Sequence, residues 1–211
     1  MEQVKTGWRH IKGYDMRFIG ITGGIGAGKS EILKYIREHY KCRIYLADDV
    51  AKEVRKPGTE CYKKLTELMG EDVIQDAKKM SSALFADSSL LEKVNAIIHP
   101  AVKEYLLTEL EKAGKDEDTE LFFVEAALLI ECGYKKLVDE MWYVYADEKT
   151  RISRLMAARG YSEEKALSII KTQLSDEEYR NGSDFVIDNS GSLEESYKAI
   201  RERLKDYDRV K

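Results

Sequence analysis

Fourteen residues, FIGITGGIGAGKSE at positions 18–31, decide how this chain is built. Phe18 to Thr22 is short, mostly apolar and stopped by glycine, the pattern of a buried strand. Glu31 to His39, EILKYIREH, carries Ile32, Leu33 and Ile36 at helical spacing. Between the two stands Gly23-x-x-x-x-Gly28-Lys29-Ser30. Glycine weakens strands and helices alike, so Gly23, Gly24, Gly26 and Gly28 predict a loop that something approaches closely. In this strand–loop–helix setting, successive backbone N–H groups turn onto phosphate oxygens, and the helix start adds its positive dipole end. Lys29 is then expected to reach the β/γ-phosphates and the Ser30 hydroxyl to ligate Mg²⁺. A plain glycine turn is the weaker reading, because full motif and context coincide. A dinucleotide-binding loop starting at Gly24 would need glycine at position 29, which is lysine. The expectation is a nucleoside-triphosphate site, and the loop alone does not say what is done with the triphosphate.

Outward from the loop, strand patterns recur between helical ones. CRIYLA (42–47), Leu121 to Val124, EMWYVYA (140–146) and DFVIDN (184–189) read as strands. Alternation of this kind implies parallel pairing in an α/β sandwich, with ligands gathered at the carboxyl ends of the strands. Asp48, Glu125, Asp147 and Asp188 all fall at or just after such ends. Residues 48–114 form a helical excursion larger than a crossover needs, read as a second-substrate lobe. Residues 147–184 read as helices interrupted at Arg159-Gly160, and Ser175-x-x-Glu178 and Ser192-x-x-Glu195 are capping-box patterns.

Composition narrows the field. The chain has 211 residues, 43% of them hydrophobic, which suits one domain with a core and smaller inserted parts. Lys+Arg is 35 against Asp+Glu 39, a net charge of −4, which argues against a broadly basic nucleic-acid surface. Cys42, Cys61 and Cys132 have neither disulfide nor metal spacing and read as plain thiols in a reducing cytosol. No stretch is long enough to span a membrane. Residues 1–15 do not read as a secretory signal, and Met16, directly before the first strand, is expected as the alternative start.

A phosphoryl transfer needs an oriented acceptor hydroxyl and cations over the moving group. Asp48 is the candidate base, expected just past strand two, itself expected beside the strand that carries the loop; the competing reading is a cap for a helix from Asp49 to Arg55. Arg151, Arg154, Arg159, Lys171 and Arg180 follow strand four and could close over a triphosphate. Arg159, beside a glycine at a helix break, is the most suggestive. His99-Pro100 interrupts a long helical stretch, either as a stop and restart or as a turn shaping an acceptor pocket. Glu125 suits a carboxylate holding a Mg²⁺-bound water, though an ordinary strand-end acid fits nearly as well.

Taken together, GITGGIGAGKS, ADDVAKEVRKPG, IIHPAV, EAALLIE and VIDNSGS, in this order, resemble the dephospho-CoA kinase family from Met16 to about Leu204. The resemblance implies a P-loop NTPase-type three-layer sandwich with a five-stranded parallel sheet, a helical CoA-binding insert at about 48–114 and a lid at about 148–183. Core segments would be 16–47, 120–147 and 184–211, with 1–15 an N-terminal extension. It implies ATP-dependent phosphorylation of the ribose 3′-hydroxyl of dephospho-CoA, with Mg²⁺, in a cytoplasmic monomer without nucleic-acid or membrane partners. Residue by residue, it implies catalysis by Asp48, Lys29 and Arg159, and ATP binding by Gly24, Ile25, Gly26, Ala27, Gly28, Lys29, Ser30, Glu31, Arg154 and Asn189. It places Asp48, Arg55, His99 and Glu131 on the acceptor and Ser30 and Glu125 on the metal. Glu31, Glu125, Ala127, Ala158 and Ala77 depart from residues common in the family. The alternatives are a kinase of another nucleoside or nucleotide, a nucleotide-dependent switch, which lacks its Asn-Lys-x-Asp run here, and a silent ATP-binding scaffold.

Overall fold

A computed structural model describes residues 16–207; the expectations for residues 1–15 lie outside them. Five strands make one sheet: β1 (Arg17–Thr22), β2 (Cys42–Leu46), β3 (Leu121–Glu125), β4 (Glu140–Tyr145) and β5 (Phe185–Asp188), in the order β2-β3-β1-β4-β5. β1 pairs in parallel with β3 and with β4, and β4 with β5. Leu121, Phe122, Phe123 and Val124 are fully buried, as expected of a strand covered on both faces. The observed order corrects one expectation: β3, not β2, lies between the edge and β1, so the strand before Asp48 does not flank the loop's strand. The long helical excursion after β2 separates it from β3 in sequence, and β3 takes the place beside β1, its residues Leu121 to Val124 all apolar and buried.

The chain divides into two compact units. One holds residues up to Ile44 and from Ala113 on. Besides the sheet it contains α1 (Lys29–His39) after the loop, then, beyond β4, α7 (Glu148–Arg159), α8 (Glu163–Ile170), α9 (Asp176–Asn181) and α10 (Leu193–Arg203). Both expected capping boxes are present, at Ser175/Glu178 and Ser192/Glu195. α7 ends at Arg159 because Gly160 takes the left-handed conformation, φ 63°, that closes a helix. Leu155, Ala166 and Ile170 form a small core joining α7 to α8, and Ile25 of the glycine loop packs against it.

The second unit, Tyr45–Lys112, contains α2 (Ala47–Glu53), α3 (Glu60–Met69), α4 (Glu71–Ile74), α5 (Ala77–Ala86) and most of α6 (Ser88–Ala113). Its limits compare with 48–114 expected. Here the reading of His99-Pro100 as an interruption fails, because α6 runs through Pro100 without a break. Proline cannot donate to the Ala96 carbonyl. Ala96 is exposed, so water can take that place, and the turns on either side carry the helix across.

The three cysteines are free thiols. Burial raises the Cys42 thiol to about 11, outweighing the nearby Arg37 charge that lowers it. The thiolate is the reactive form, so at pH 8 Cys42 should react with iodoacetamide roughly a hundredfold more slowly than an unperturbed thiol. Burial also raises Cys61 and Cys132, but Cys132 is the exposed one and should label first. Peptide mapping after timed alkylation checks this order.

Candidate active site

The loop leaves the C-terminal end of β1, and the register sets its neighbours. Ile21 lies opposite Glu125 of β3, and Thr22 opposite Tyr143 of β4. Lys29 Nζ donates to the Gly23 carbonyl at 2.6 Å and lies 3.4 Å from Glu125 Oε1. Lys29 and Glu125, predicted separately from the sequence, are thus brought together, and Ser30 follows Lys29 in the first turn of α1. Ser30 is exposed in the first turn of α1, and no metal-sized cluster of three or more His, Cys, Asp or Glu forms among the described residues. A hydroxyl and one carboxylate, both hard oxygen donors, suit Mg²⁺, which takes few protein ligands and keeps several waters.

The close approach that four glycines predict is to the protein itself. A Cβ at Gly23 would lie 2.5 Å from the Val144 carbonyl, at Gly24 2.2 Å from Arg151 Nη2, and at Gly28 2.3 Å from Asn189 Nδ2. Gly28 also has φ +93°. Gly28→Ala combines both penalties and should raise the KM for ATP at least about tenfold, since left-handed backbone alone costs a β-carbon roughly 1–2 kcal/mol. Steady-state kinetics with ATP as the varied substrate check it.

What packs there holds the loop by its carbonyls. Arg151 Nε donates to the Ile25 carbonyl at 2.8 Å. Arg154 Nη1 donates to Ala27 at 3.2 Å, and its Nη2 to the Asn189 carbonyl at 2.9 Å. Asn189, almost wholly buried, donates from Nδ2 to Ala27 O at 2.7 Å and is itself steadied by Ser196. No peptide here is cis. In a trans unit the N–H points opposite to the C=O. Holding the Ile25 and Ala27 carbonyls toward α7 and β5 therefore aims the Gly26 and Gly28 N–H groups the other way. Those two amides, with the start of α1, form a cup suited to an anion.

The remaining expected residues fall as follows. Ile25 and Ala27 are anchors of the loop, by side chain and by carbonyl. Glu31 accepts from the Tyr197 hydroxyl at 3.2 Å, toward α10. Arg159 is exposed at the end of α7 and forms no hydrogen bond or ion pair among the described residues, whereas Arg180 is taken by Asp176 and by the Tyr145 ring. Asp147 caps α7 through the Thr150 N–H, which holds its carboxyl below the usual carboxylate range. Glu131 is exposed in the turn after β3.

In the second unit, Asp48 sits inside α2, whose N-cap is Leu46 with no side-chain cap; the capping reading of Asp48 is therefore overturned. The helix begins two residues earlier than expected, so position 48 is already in its first turn. Asp48 is exposed, while its neighbour Asp49 is tied to Lys52 at 2.7 Å. Arg55 donates to the Ala51 carbonyl at 2.8 Å and to Met80 Sδ at 3.6 Å, and His99 is exposed on α6. Gln173 is the contact that sequence reading missed. Its Oε1 accepts from the Ile25 N–H at 2.9 Å and from Arg151 Nη2 at 2.7 Å. A lone glutamine between two helices carries no pattern that would single it out.

Comparison with known proteins gives one direction. The family described as dephospho-CoA kinase (CoaE) matches residues 17–195. A dephospho-CoA kinase of Geobacter sulfurreducens is 37% identical over 195 residues, covering 89% of this chain and 96% of that one. One of Oceanobacillus iheyensis is 37% identical over 183 residues, covering 84% and 91%. Among solved structures, a Thermus thermophilus protein superposes with a TM-score of 0.75 at 30% identity, covering 90% of this chain and 97% of that one. A dephospho-CoA kinase from Campylobacter jejuni, at 22% identity and TM-score 0.65, covers 90% and 98% and shares the fold.

Proposed function

The chain belongs to the dephospho-CoA kinase family, and from that premise we propose how its residues divide the work. The enzyme phosphorylates the ribose 3′-hydroxyl of dephospho-CoA with ATP, giving CoA and ADP, the final step of coenzyme A biosynthesis. The glycine loop and Lys29 hold the triphosphate of ATP. Asp48 orients the ribose hydroxyl and accepts its proton as the bond to phosphorus forms. Arg159, exposed at the helix end beside Gly160, comes over the phosphates as the 148–183 segment acts as a lid and excludes water. Ser30 and Glu125 would hold Mg²⁺, which when bound supplies neutralisation of the charge on the transferring group. Arg154 and Asn189 serve ATP through the loop carbonyls they hold. Arg55, His99 and Glu131 serve the acceptor, and the 45–112 unit is the CoA-binding lobe. The enzyme works as a cytoplasmic monomer, and no helix of the described residues is long and apolar enough to cross a membrane.

The observation that carries this reading is the loop itself: carbonyls of Ile25 and Ala27 held back by side chains, with Lys29 and Glu125 beside the cup. Incubation with ATP, Mg²⁺ and dephospho-CoA, followed by mass spectrometry, should find one added phosphate on the acceptor's ribose. Adenosine and AMP run beside it should stay unphosphorylated. Phosphate appearing on either of them, and none on dephospho-CoA, would overturn the assignment of the acceptor residues.

A further inference from the structure

Arg151 stands out among the cations of this unit. It is 8% exposed, yet no carboxylate lies within ion-pair distance of it among the described residues. A buried guanidinium is normally paired, since removing a charge from water is costly unless a counter-charge or several hydrogen bonds replace the hydration. Here the replacements are neutral oxygens: the Ile25 carbonyl at Nε and the Gln173 amide oxygen at Nη2. Burial is the main influence on Arg151, lowering its proton affinity, while the charges of Tyr143, Tyr179 and Glu148 act the other way and are outweighed. The guanidinium lies directly against Gly24, where an added Cβ would meet Nη2 at 2.2 Å. A positive charge is thus stored inside the protein on the backbone of the phosphate loop.

Gln173 completes a closed ring of hydrogen bonds. Its one oxygen takes both the Ile25 N–H and Arg151 Nη2, while Arg151 Nε takes the Ile25 carbonyl. Both polar groups of Ile25 are therefore held by side chains 22 residues apart in sequence, and its side chain is packed in the α7–α8 core. Resting on the reading of the loop as the ATP site, we propose that Arg151, oriented by Gln173, is a positioning residue whose missing counter-charge is the bound polyphosphate. It acts through the Ile25 peptide and through its charge. Its contribution therefore grows with the number of phosphates on the ligand.

The test is a calorimetric affinity ladder with inorganic tripolyphosphate, ATP, ADP and adenosine on the full chain. Arg151→Met should weaken tripolyphosphate and ATP roughly 10- to 100-fold, the scale of one partly screened charge at an effective dielectric constant near 20. ADP should lose less and adenosine little. Arg151→Lys, which keeps the charge, should recover most of the loss, and the rise should fall on the KM for ATP more than on kcat. Equal weakening of all four ligands, or a lysine variant as poor as the methionine one, would overturn the proposal. If Arg151→Met does not fold, Gln173→Leu decides: it keeps the charge but frees its orientation, so wild-type affinity for tripolyphosphate would overturn it. A wild-type protein that binds ATP and phosphorylates no dephospho-CoA would count against the acceptor reading and leave this one standing.

Discussion

Asp48→Asn should lower turnover by roughly 10²- to 10⁴-fold, the range for losing a positioned acid–base group, while ATP binding stays close to wild type. The structure supplies the reason to expect so large an effect from so mild a change. Asp48 is exposed, caps no helix, and forms no hydrogen bond or ion pair among the described residues. Surface substitutions away from special features usually change stability by no more than about 0.5 kcal/mol. Near the start of α2 the lost negative charge adds a small dipole penalty, roughly 0.3–1 kcal/mol. A thousandfold loss of rate would therefore reflect chemistry and not unfolding. Asp49→Asn is the internal control. It removes the adjacent carboxylate and its pair with Lys52, and it should leave turnover near wild type. Quenched-flow measurement of CoA formation, with ATP affinity measured separately, distinguishes the two. Near-normal turnover in Asp48→Asn would remove Asp48 from the mechanism.

The contrast between Asp48 and the loop shows where sequence carries information and where it does not. The loop was legible because strand, glycines, lysine and helix are contiguous, and local geometry follows from local residues. The strands were legible for the same reason: runs such as Leu121 to Val124 are apolar throughout, and their ends carry acids. Sheet order was not, because nothing within CRIYL says which strand will lie beside it. Pro100 misled because proline ends helices on average, whereas the long helix around it tolerates one missing bond. The arginines of α7 were legible as a group but not in their roles. Arg151 and Arg154 sit three residues apart and reach carbonyls more than 120 positions away. Gln173 was invisible because its partners are a backbone amide and another side chain, neither of which leaves a trace at position 173.

Glu140→Ala should cost about 3–5 kcal/mol of stability, the scale for breaking a buried ion cluster by removing one partner. Glu140 opens β4 and is 4% exposed. Its Oε1 takes Arg17 from the start of β1, and Arg203 from the last turn of α10. Its Oε2 accepts from Trp142 Nε1 at 2.7 Å and from Arg203 Nε at 3.1 Å. One carboxylate thereby joins two central strands and the C-terminal helix. Alanine would leave the buried Trp142 indole N–H without an acceptor and two partly exposed guanidinium groups without their counter-charge, Arg17 keeping the Tyr207 hydroxyl. Because the strands are parallel, these residues lie at the amino ends, whereas the loop lies at the carboxyl ends. The site's chemistry should therefore be spared: the fraction that folds should bind ATP with wild-type affinity. Arg203→Met should cost less, since Glu140 keeps Arg17 and Trp142 and the helix end can hydrate the exposed side of the gap. Urea unfolding followed by circular dichroism gives both numbers. A loss below about 1 kcal/mol for Glu140→Ala, the worth of an exposed pair, would mean that water replaces the carboxylate and that the cluster does not hold the sheet to its last helix.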